Sequence, residues 1–237
     1  MSAAARVERV AEVTILHLTA GENRFNPVTL GAIAAALDEL QGSDAPGALV
    51  ITGESKFFSN GLDLDWMGSA PAGGAEEVLQ GLHALLARLL AFPTATVAAI
   101  NGHAFAAGAM LALACDVRVM REDRGYFCLP EVNLGLPFTP GMTALLKARL
   151  SAATAHEAMV TGRRYSAPEA LAAGIVEATA PSEQLLESAV NRAAALAGRP
   201  RATVAAIKRG LYADAVAALE EPAPAPDDLP GARQSAK

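Results

Sequence analysis

Three short apolar runs separated by two helical patterns limit what this chain can become. A strand-like run at 48–52 (ALVIT) precedes a helical pattern at 75–91, a second strand at 95–100, a short helix at 107–114 and a third strand at 116–120. Strands that alternate with helices in this way imply parallel pairing with crossover helices, an α/β architecture. The central part of the pattern, 98–120, reads AAINGHAFAAGAMLALACDVRVM. Here Asn101-Gly102 ends a strand and Ala106-Ala107-Gly108 opens a helix with almost no side chain. The unpaired N–H groups and the dipole at that helix start favour negative charge, although small residues there also permit tight packing of helix on strand.

The flanking segments follow the same logic. Runs at 7–12 and 13–18 read as strands. Asn26-Pro27 then starts a helix, Asn as cap and Pro at the first position, with Leu30, Ile33, Leu37 and Leu40 on one stripe. A loop, ESKFFSNGLDLDWM, follows the strand at 48–52, and a Pro/Gly break at 70–74 precedes the second helix, whose apolar face holds Val78, Leu82, Leu85, Leu86 and Leu89. Beyond a short strand in GYFCLP lies an irregular Pro/Gly-rich segment, then helices near 141–149 and 152–161. Ser166 and Glu169 have capping-box spacing, Gly174 is a helix stop, and Ile175-Val176 reads as a short strand. Helices are expected at 181–197, with Leu186, Val190 and Ala193 on one face, and at 200–219. The residues from 220 on, rich in Pro, Ala and acidic side chains, are expected to be disordered. The resulting division is a core at 1–180, a helical region at 181–220 and a tail at 221–237.

Charge narrows the function classes. The 237 residues carry a formal charge of −6 and no basic cluster longer than a pair, so a nucleic-acid surface has no footprint. Mean hydropathy is +0.27, yet the longest apolar stretch, 104–115, is shorter than the roughly 20 residues a spanning helix requires. No signal region or targeting address is visible at either end, so a cytoplasmic location is expected. Cys115 and Cys128 lack partners at metal-ligand spacing and are expected to be buried thiols, with no metal site.

Two backbone donors are available. Asn60-Gly61 permits a tight bend that leaves the Leu62 N–H free, and Ala107 lies at a helix start. If the two converge they form an oxyanion hole, in which one donor is typically worth about 10²–10³ in rate. Alone, FFSNGLDL would pass for a surface turn.

FFSNGLDL, AAINGHAFAAGAMLALACD and LPEVNLGLP, in that order, resemble the enoyl-CoA hydratase/isomerase (crotonase) superfamily, and TGRRYSAPEALAAGIVEATAP is similar to a later segment of it. The likeness covers roughly 7–215, and FFSNGLDLDW, GENRFNP and PEVNLGLP look closest in wording to the plant-type peroxisomal Δ3,Δ2-enoyl-CoA isomerases. It implies a crotonase-like spiral of repeated ββα/βαβ units with C-terminal helices used for trimerisation, as a homotrimer or a dimer of trimers. It also implies acyl-CoA thioesters as substrates, with coenzyme A part of the substrate and no separate cofactor.

Carried over to these residues, the resemblance places the oxyanion donors on Leu62 and Ala107, where Ala107 replaces a Gly common in the family. Backbone around Phe58, Ser59, Asn60, Gly61 and Leu62 would hold the adenine and pantetheine parts, and Asp63 a structural carboxylate. Hydratases of the family carry two carboxylates against carbons 2 and 3 of the acyl chain; here the first position is Met110 and the second is Glu131, after Pro130. One carboxylate suffices to shuttle a proton between carbons 2 and 4, so the implied reaction is Δ3,Δ2-enoyl-CoA isomerisation. Met110, Leu136 and Phe138 are expected to desolvate Glu131 and raise its pKa. The alternatives are an enoyl-CoA hydratase, with a water held by backbone or Asn133, and a non-catalytic acyl-CoA binding protein. His103 is expected to hydrogen-bond backbone, Asp116 to cap or pair at a strand start, and Arg24, Lys56 and Lys208 to be ordinary solvated charges if they do not meet CoA phosphates. Ser59 lacks the elbow motif of a serine hydrolase, and Asp65 and Trp66 are candidates for the pocket mouth.

Overall fold

The computed structural model describes residues 4–42 and 47–224. Strands β1 (Ala5–Val10) and β2 (Val13–Leu18) form an antiparallel hairpin, with Ala5 opposite Leu18. Helix α1 (Pro27–Gln41) starts as its sequence directs: Asn26 Oδ1 accepts the Val28 and Thr29 N–H groups, and Thr29 Oγ1 accepts the Asn26 N–H. Ile33, Leu37 and Leu40 are buried, while Leu30 is half-buried at the edge of the stripe. β3 (Ala48–Gly53) is buried along its whole length.

The segment expected as one loop contains two elements, β4 (Phe57–Ser59) and the six-residue α2 (Leu64–Ser69), the second capped by Asp63 and burying no side chain. α3 (Gly74–Leu90) and β5 (Ala95–Ile100) lead to a three-residue β6 (His103–Phe105), then to α4 (Ala107–Ala114), β7 (Val117–Arg121) and a two-residue β8 (Phe127–Cys128). The Pro/Gly-rich segment includes one helical turn, α5 (Glu131–Leu134), before α6 (Pro140–Arg149), α7 (Ala152–Thr161), β9 (Arg164–Tyr165) and α8 (Ala167–Ala172).

The expected strand at Ile175-Val176 is displaced to β10 (Ala178–Ala180). Gly174 at φ +68° turns the chain, and the N–H groups of Ile175 and Val176 close on the Ala170 carbonyl as a helix C-cap, so they cannot join a ladder. A short 3-10 turn at 182–184 precedes α9 (Leu185–Ala197), which buries the row Leu185, Ala189, Ala193 and Ala197 and leaves Leu186 and Val190 at its margin. The last helical stretch is broken at Tyr212 into α10 (Arg201–Leu211) and α11 (Ala213–Glu220). Glu220 thus closes a helix, and the Ala223 N–H donates to Gln80 Oε1 at 2.8 Å. Residues 225–237, the rest of the expected tail, lie outside the described residues.

The large sheet has the order β1-β2-β3-β5-β7-β10, parallel from β2 onward. Successive side chains alternate across it: Leu49 and Ile51 of β3 join the core under α1, α3 and α4, whereas Ala48 and Val50 pack beneath α9. A second sheet, β4-β6-β8-β9, pairs the first three strands in parallel. Each repeat therefore leaves one strand in each sheet: β3 turns into β4, β5 into β6, and β7 into β8. This is the crotonase-like spiral.

Its corners are steric. A β-carbon on Gly102 would lie 2.1 Å from the Lys56 carbonyl oxygen, and Gly125, at φ +96°, is stacked on Gly102 from the following repeat. Among the described residues no helix is long and apolar enough to cross a membrane.

Candidate active site

A cavity of about 650 Å3 lies where α2, α3, the start of α4, α5 and the segment before α6 meet. Leu79, Met110, Leu136 and Met142 give it apolar walls, a setting suited to a small apolar ligand oriented by a few polar groups.

Two of those polar groups are backbone N–H groups. Ser59 is fully buried and holds the bend after β4: its Oγ donates to the Asn23 carbonyl at 2.7 Å and accepts the Gly61 N–H at 3.2 Å. Gly61, at φ +84°, gives its carbonyl to the Phe25 N–H, and the Asp63 N–H returns to the Phe25 carbonyl. Between them the Leu62 N–H has no acceptor among the described residues. Ala107 is the first residue of α4, where no preceding turn exists to accept its N–H. Leu62 and Ala107 both line the cavity.

The residue ahead of Ala107 carries the backbone strain. Ala106 sits at φ +51°, ψ −125°, a conformation that costs a non-glycine residue about 1–3 kcal/mol, and its N–H is anchored to the Cys128 carbonyl at 3.0 Å. Gly108 is pressed onto β4, since a β-carbon there would lie 2.4 Å from the Ser59 oxygen.

Glu131 opens α5 behind Pro130, and both residues line the cavity. Glu131 is 7% exposed and its Oε2 has no hydrogen-bond partner. Burial pushes its pKa up to about 7, against a smaller opposing pull from a backbone hydrogen bond. The other cavity-lining carboxylate, Asp65, is 89% exposed at the rim and paired with Arg24 at 2.8 Å. Among the described residues the inner wall thus carries one acid–base group, whose pKa burial raises to about 7, and two backbone donors, an arrangement able to move a proton beside an oxygen that gains negative charge.

Not every residue singled out in the sequence reaches the cavity. Phe58 is fully buried in the core and its carbonyl accepts Asn23 Nδ2 at 3.0 Å. Asn60 lines the cavity while its amide holds Glu22 Oε2 at 2.9 Å. Asp63 caps α2 and accepts Asn26 Nδ2 at 3.0 Å. Met110 lies against the cavity as expected from its position one turn after Ala107. Phe138 does not: it packs on the main core, and the flanking Pro137 and Thr139 line the cavity instead. Trp66 is likewise absent from the lining and packs towards Gly74, and the Asn133 amide faces Gly162.

His103 makes no backbone hydrogen bond through its buried Nδ1; the ring is held among Phe57, Phe105 and Tyr126 at 5.3, 4.9 and 5.7 Å. Lys208 is neither solvated nor near the cavity, since it is 8% exposed and donates to the Thr94 carbonyl at 2.9 Å and to Asp116 at 2.6 Å. Lys56 lies over the Phe57 ring. Cys115 and Cys128 are buried free thiols, pushed up by desolvation to about 12 and about 11. Sequence reasoning missed Leu79, which was not counted on the α3 stripe although it stands three residues before Leu82, Met142, on a helix for which no stripe was counted, and the buried pair Thr139 and His83.

Comparison with known proteins gives the family. A family model described as enoyl-CoA hydratase/isomerase matches residues 6–229. Enoyl-CoA delta isomerase 3 of Arabidopsis thaliana is 35% identical over 216 residues, covering 87% of this chain and 91% of its own length. The 2,3-dehydroadipyl-CoA hydratase of Escherichia coli is 33% identical over 215 residues, 91% of this chain and 83% of that protein. The solved apo structure of an enoyl-CoA isomerase from Mycobacterium tuberculosis superimposes with a TM-score of 0.85 at 30% identity, over 92% of this chain and 95% of that one. With the spiral of paired strands and the extent of these matches, the chain belongs to the enoyl-CoA hydratase/isomerase family.

Proposed function

We propose that this chain is a Δ3,Δ2-enoyl-CoA isomerase. The observation that carries the reading is Glu131, the one buried carboxylate among the described residues of the cavity wall, with Oε2 unpartnered. Glu131 removes a proton from carbon 2 of a 3-enoyl-CoA. The electrons of that C–H bond form a dienolate whose oxygen accepts the Leu62 and Ala107 N–H groups. Glu131 then returns the proton at carbon 4, leaving the double bond between carbons 2 and 3. General acid–base work of this kind contributes about 10²–10⁴ in rate, and each backbone donor about 10²–10³.

Met110 supports the same choice. A thioether neither holds a water nor manages its protons, and Asn133, directed at Gly162, cannot take over that task. We also place the assembly surface on the C-terminal helices, where Ile207 and Leu211 of α10 are 63% and 68% exposed; the expected outcome in sedimentation is a homotrimer or a dimer of trimers, which Ile207→Asp with Leu211→Asp would dissociate.

The test is product analysis with cis-3-hexenoyl-CoA in deuterated water. The expected result is 2-trans-hexenoyl-CoA without 3-hydroxyhexanoyl-CoA, and loss of activity in Glu131→Gln. Hydroxyacyl product as the main species would make the chain a hydratase, and acyl-CoA binding with no turnover would make it a binding protein.

A further inference from the structure

Ala106 joins β6 to α4, lines the cavity, and sits at φ +51°, ψ −125°, a backbone conformation that glycine adopts at no steric cost. Among the described residues three non-glycines have positive φ: Ala11 in the turn between β1 and β2, Asn23, a residue type that tolerates left-handed backbone, and Ala106. Of these only Ala106 borders the cavity. Its strain is therefore carried at the site, where a glycine would carry none.

The aim of the Ala107 N–H and its spacing from the Leu62 N–H have different causes. The Ala106 N–H is held by the Cys128 carbonyl at 3.0 Å, and the Ala106 carbonyl accepts the Met110 N–H at 3.1 Å. A trans peptide is planar, so a carbonyl turned along α4 sends the Ala107 N–H the other way, out of the helix start. Glycine would make both bonds equally well, and the aim of that N–H owes nothing to the methyl group. The methyl group meets the other donor segment instead: a β-carbon built on Gly61 would lie 2.9 Å from it and 3.2 Å from the Ala107 nitrogen. The gap between the two segments holds one β-carbon and has no room for two.

We propose that Ala106 is a positioning residue whose methyl group is the spacer between the Gly61–Leu62 and Ala106–Ala107 peptides, retained at a cost in stability because it sets the distance between the two oxyanion donors. The inference rests on the acyl-CoA reading of the cavity. Without the methyl group the two segments lose their contact and the backbone at 106 gains conformational freedom. The thioester oxygen then meets donors that are no longer fixed in place. Preorganised donors act because they need no rearrangement as charge develops, so a displacement of about 1 Å is felt in the rate more than in binding.

The experiment compares wild type with Ala106→Gly by thermal melts and by infrared spectroscopy of bound hexanoyl-CoA isotope-labelled at the thioester carbonyl. Hexanoyl-CoA is saturated and needs no turnover, so failure of the isomerase assignment is read separately, in the hexenoyl-CoA assay. The expected result is that wild type moves the carbonyl band to lower frequency than in water and that Ala106→Gly loses most of that shift. Ala106→Gly also melts no lower than wild type, because the strain is gone. With 3-hexenoyl-CoA as substrate, its kcat falls about ten- to a hundredfold with KM little changed. Ala106→Ser, which keeps the β-carbon, retains the wild-type band. The proposal is overturned if Ala106→Gly keeps the full shift, if it melts below wild type, or if Ala106→Ser loses the shift as Ala106→Gly does. A wild-type protein that binds hexanoyl-CoA without shifting the band overturns it as well, since the donors then do not reach the oxygen, and hexanoyl-CoA that fails to bind removes the acyl-CoA reading and the proposal with it.

Discussion

Gly61 is pressed against the start of α4: a β-carbon on it would lie 3.2 Å from the Ala107 nitrogen and 2.9 Å from the Ala106 β-carbon. Two segments remote in sequence touch here through the absence of a side chain. The contact sets the spacing between the Leu62 and Ala107 N–H groups, and the φ of +84° at Gly61 aims the first of them.

Gly61→Ala should therefore separate the donors while the core stays folded. The left-handed backbone and the 2.9 Å approach both oppose the methyl group. The expected outcome is a fall in kcat of about 10²–10³, the worth of one oxyanion donor, with a much smaller change in acyl-CoA affinity. Steady-state kinetics alongside calorimetric binding will check it; equal loss in both would place the defect in binding.

Glu131 links activity and stability to pH in opposite directions. Its pKa is raised by burial from 4.5 to about 7, so the folded state holds the proton more tightly than the unfolded chain does. The stability associated with that proton is present in full below about pH 4.5, declines as pH rises, and is gone above about pH 7. Thermal melts should show Glu131→Gln more stable than wild type at pH 8, with the gap narrowing towards pH 4.5. The same titration should make kcat/KM rise with pH and level off above about 7, where the base is free.

Buried Lys208 and half-buried Asp116 form an ion pair at 2.6 Å that ties α10 to the starts of β5 and β7. Asp116 also accepts the Thr96 N–H at 2.8 Å. Lys208→Met leaves that partly exposed carboxylate without its cation, and the expected loss of stability is about 1–3 kcal/mol by urea unfolding. Lys208→Met combined with Asp116→Asn should recover part of it, because no unpaired charge remains.

Elements specified by neighbouring residues were legible in the chain. The Asn26 cap with Pro27, the buried runs of β3 and β5, the Ser166–Glu169 capping box and the Gly174 stop all rest on interactions within a few residues. The second sheet was legible only in β8, the short strand read in GYFCLP. Its strands are two or three residues long, too short for any periodicity, and they pair only with strands of other repeats. The break at Tyr212 was hidden for a similar reason: the residues on either side are good helix formers, and Tyr212 is held by remote contacts to Arg149, its hydroxyl hydrogen-bonded and its ring under the guanidinium.

By itself the sequence determined the alternation of strand and helix, the family resemblance carried by three ordered motifs, and the presence of Glu131 and Met110 at the two positions to which that resemblance points. The tertiary structure decided which N–H groups are left unpaired at the cavity, that Ala106 rather than Ala107 bears the strained backbone, that Phe138 turns to the core, and that Glu131 titrates near neutrality. Local propensities act over a few residues and are written in order along the chain. Desolvation of a carboxylate and convergence of two donors depend on segments that meet only when the spiral closes.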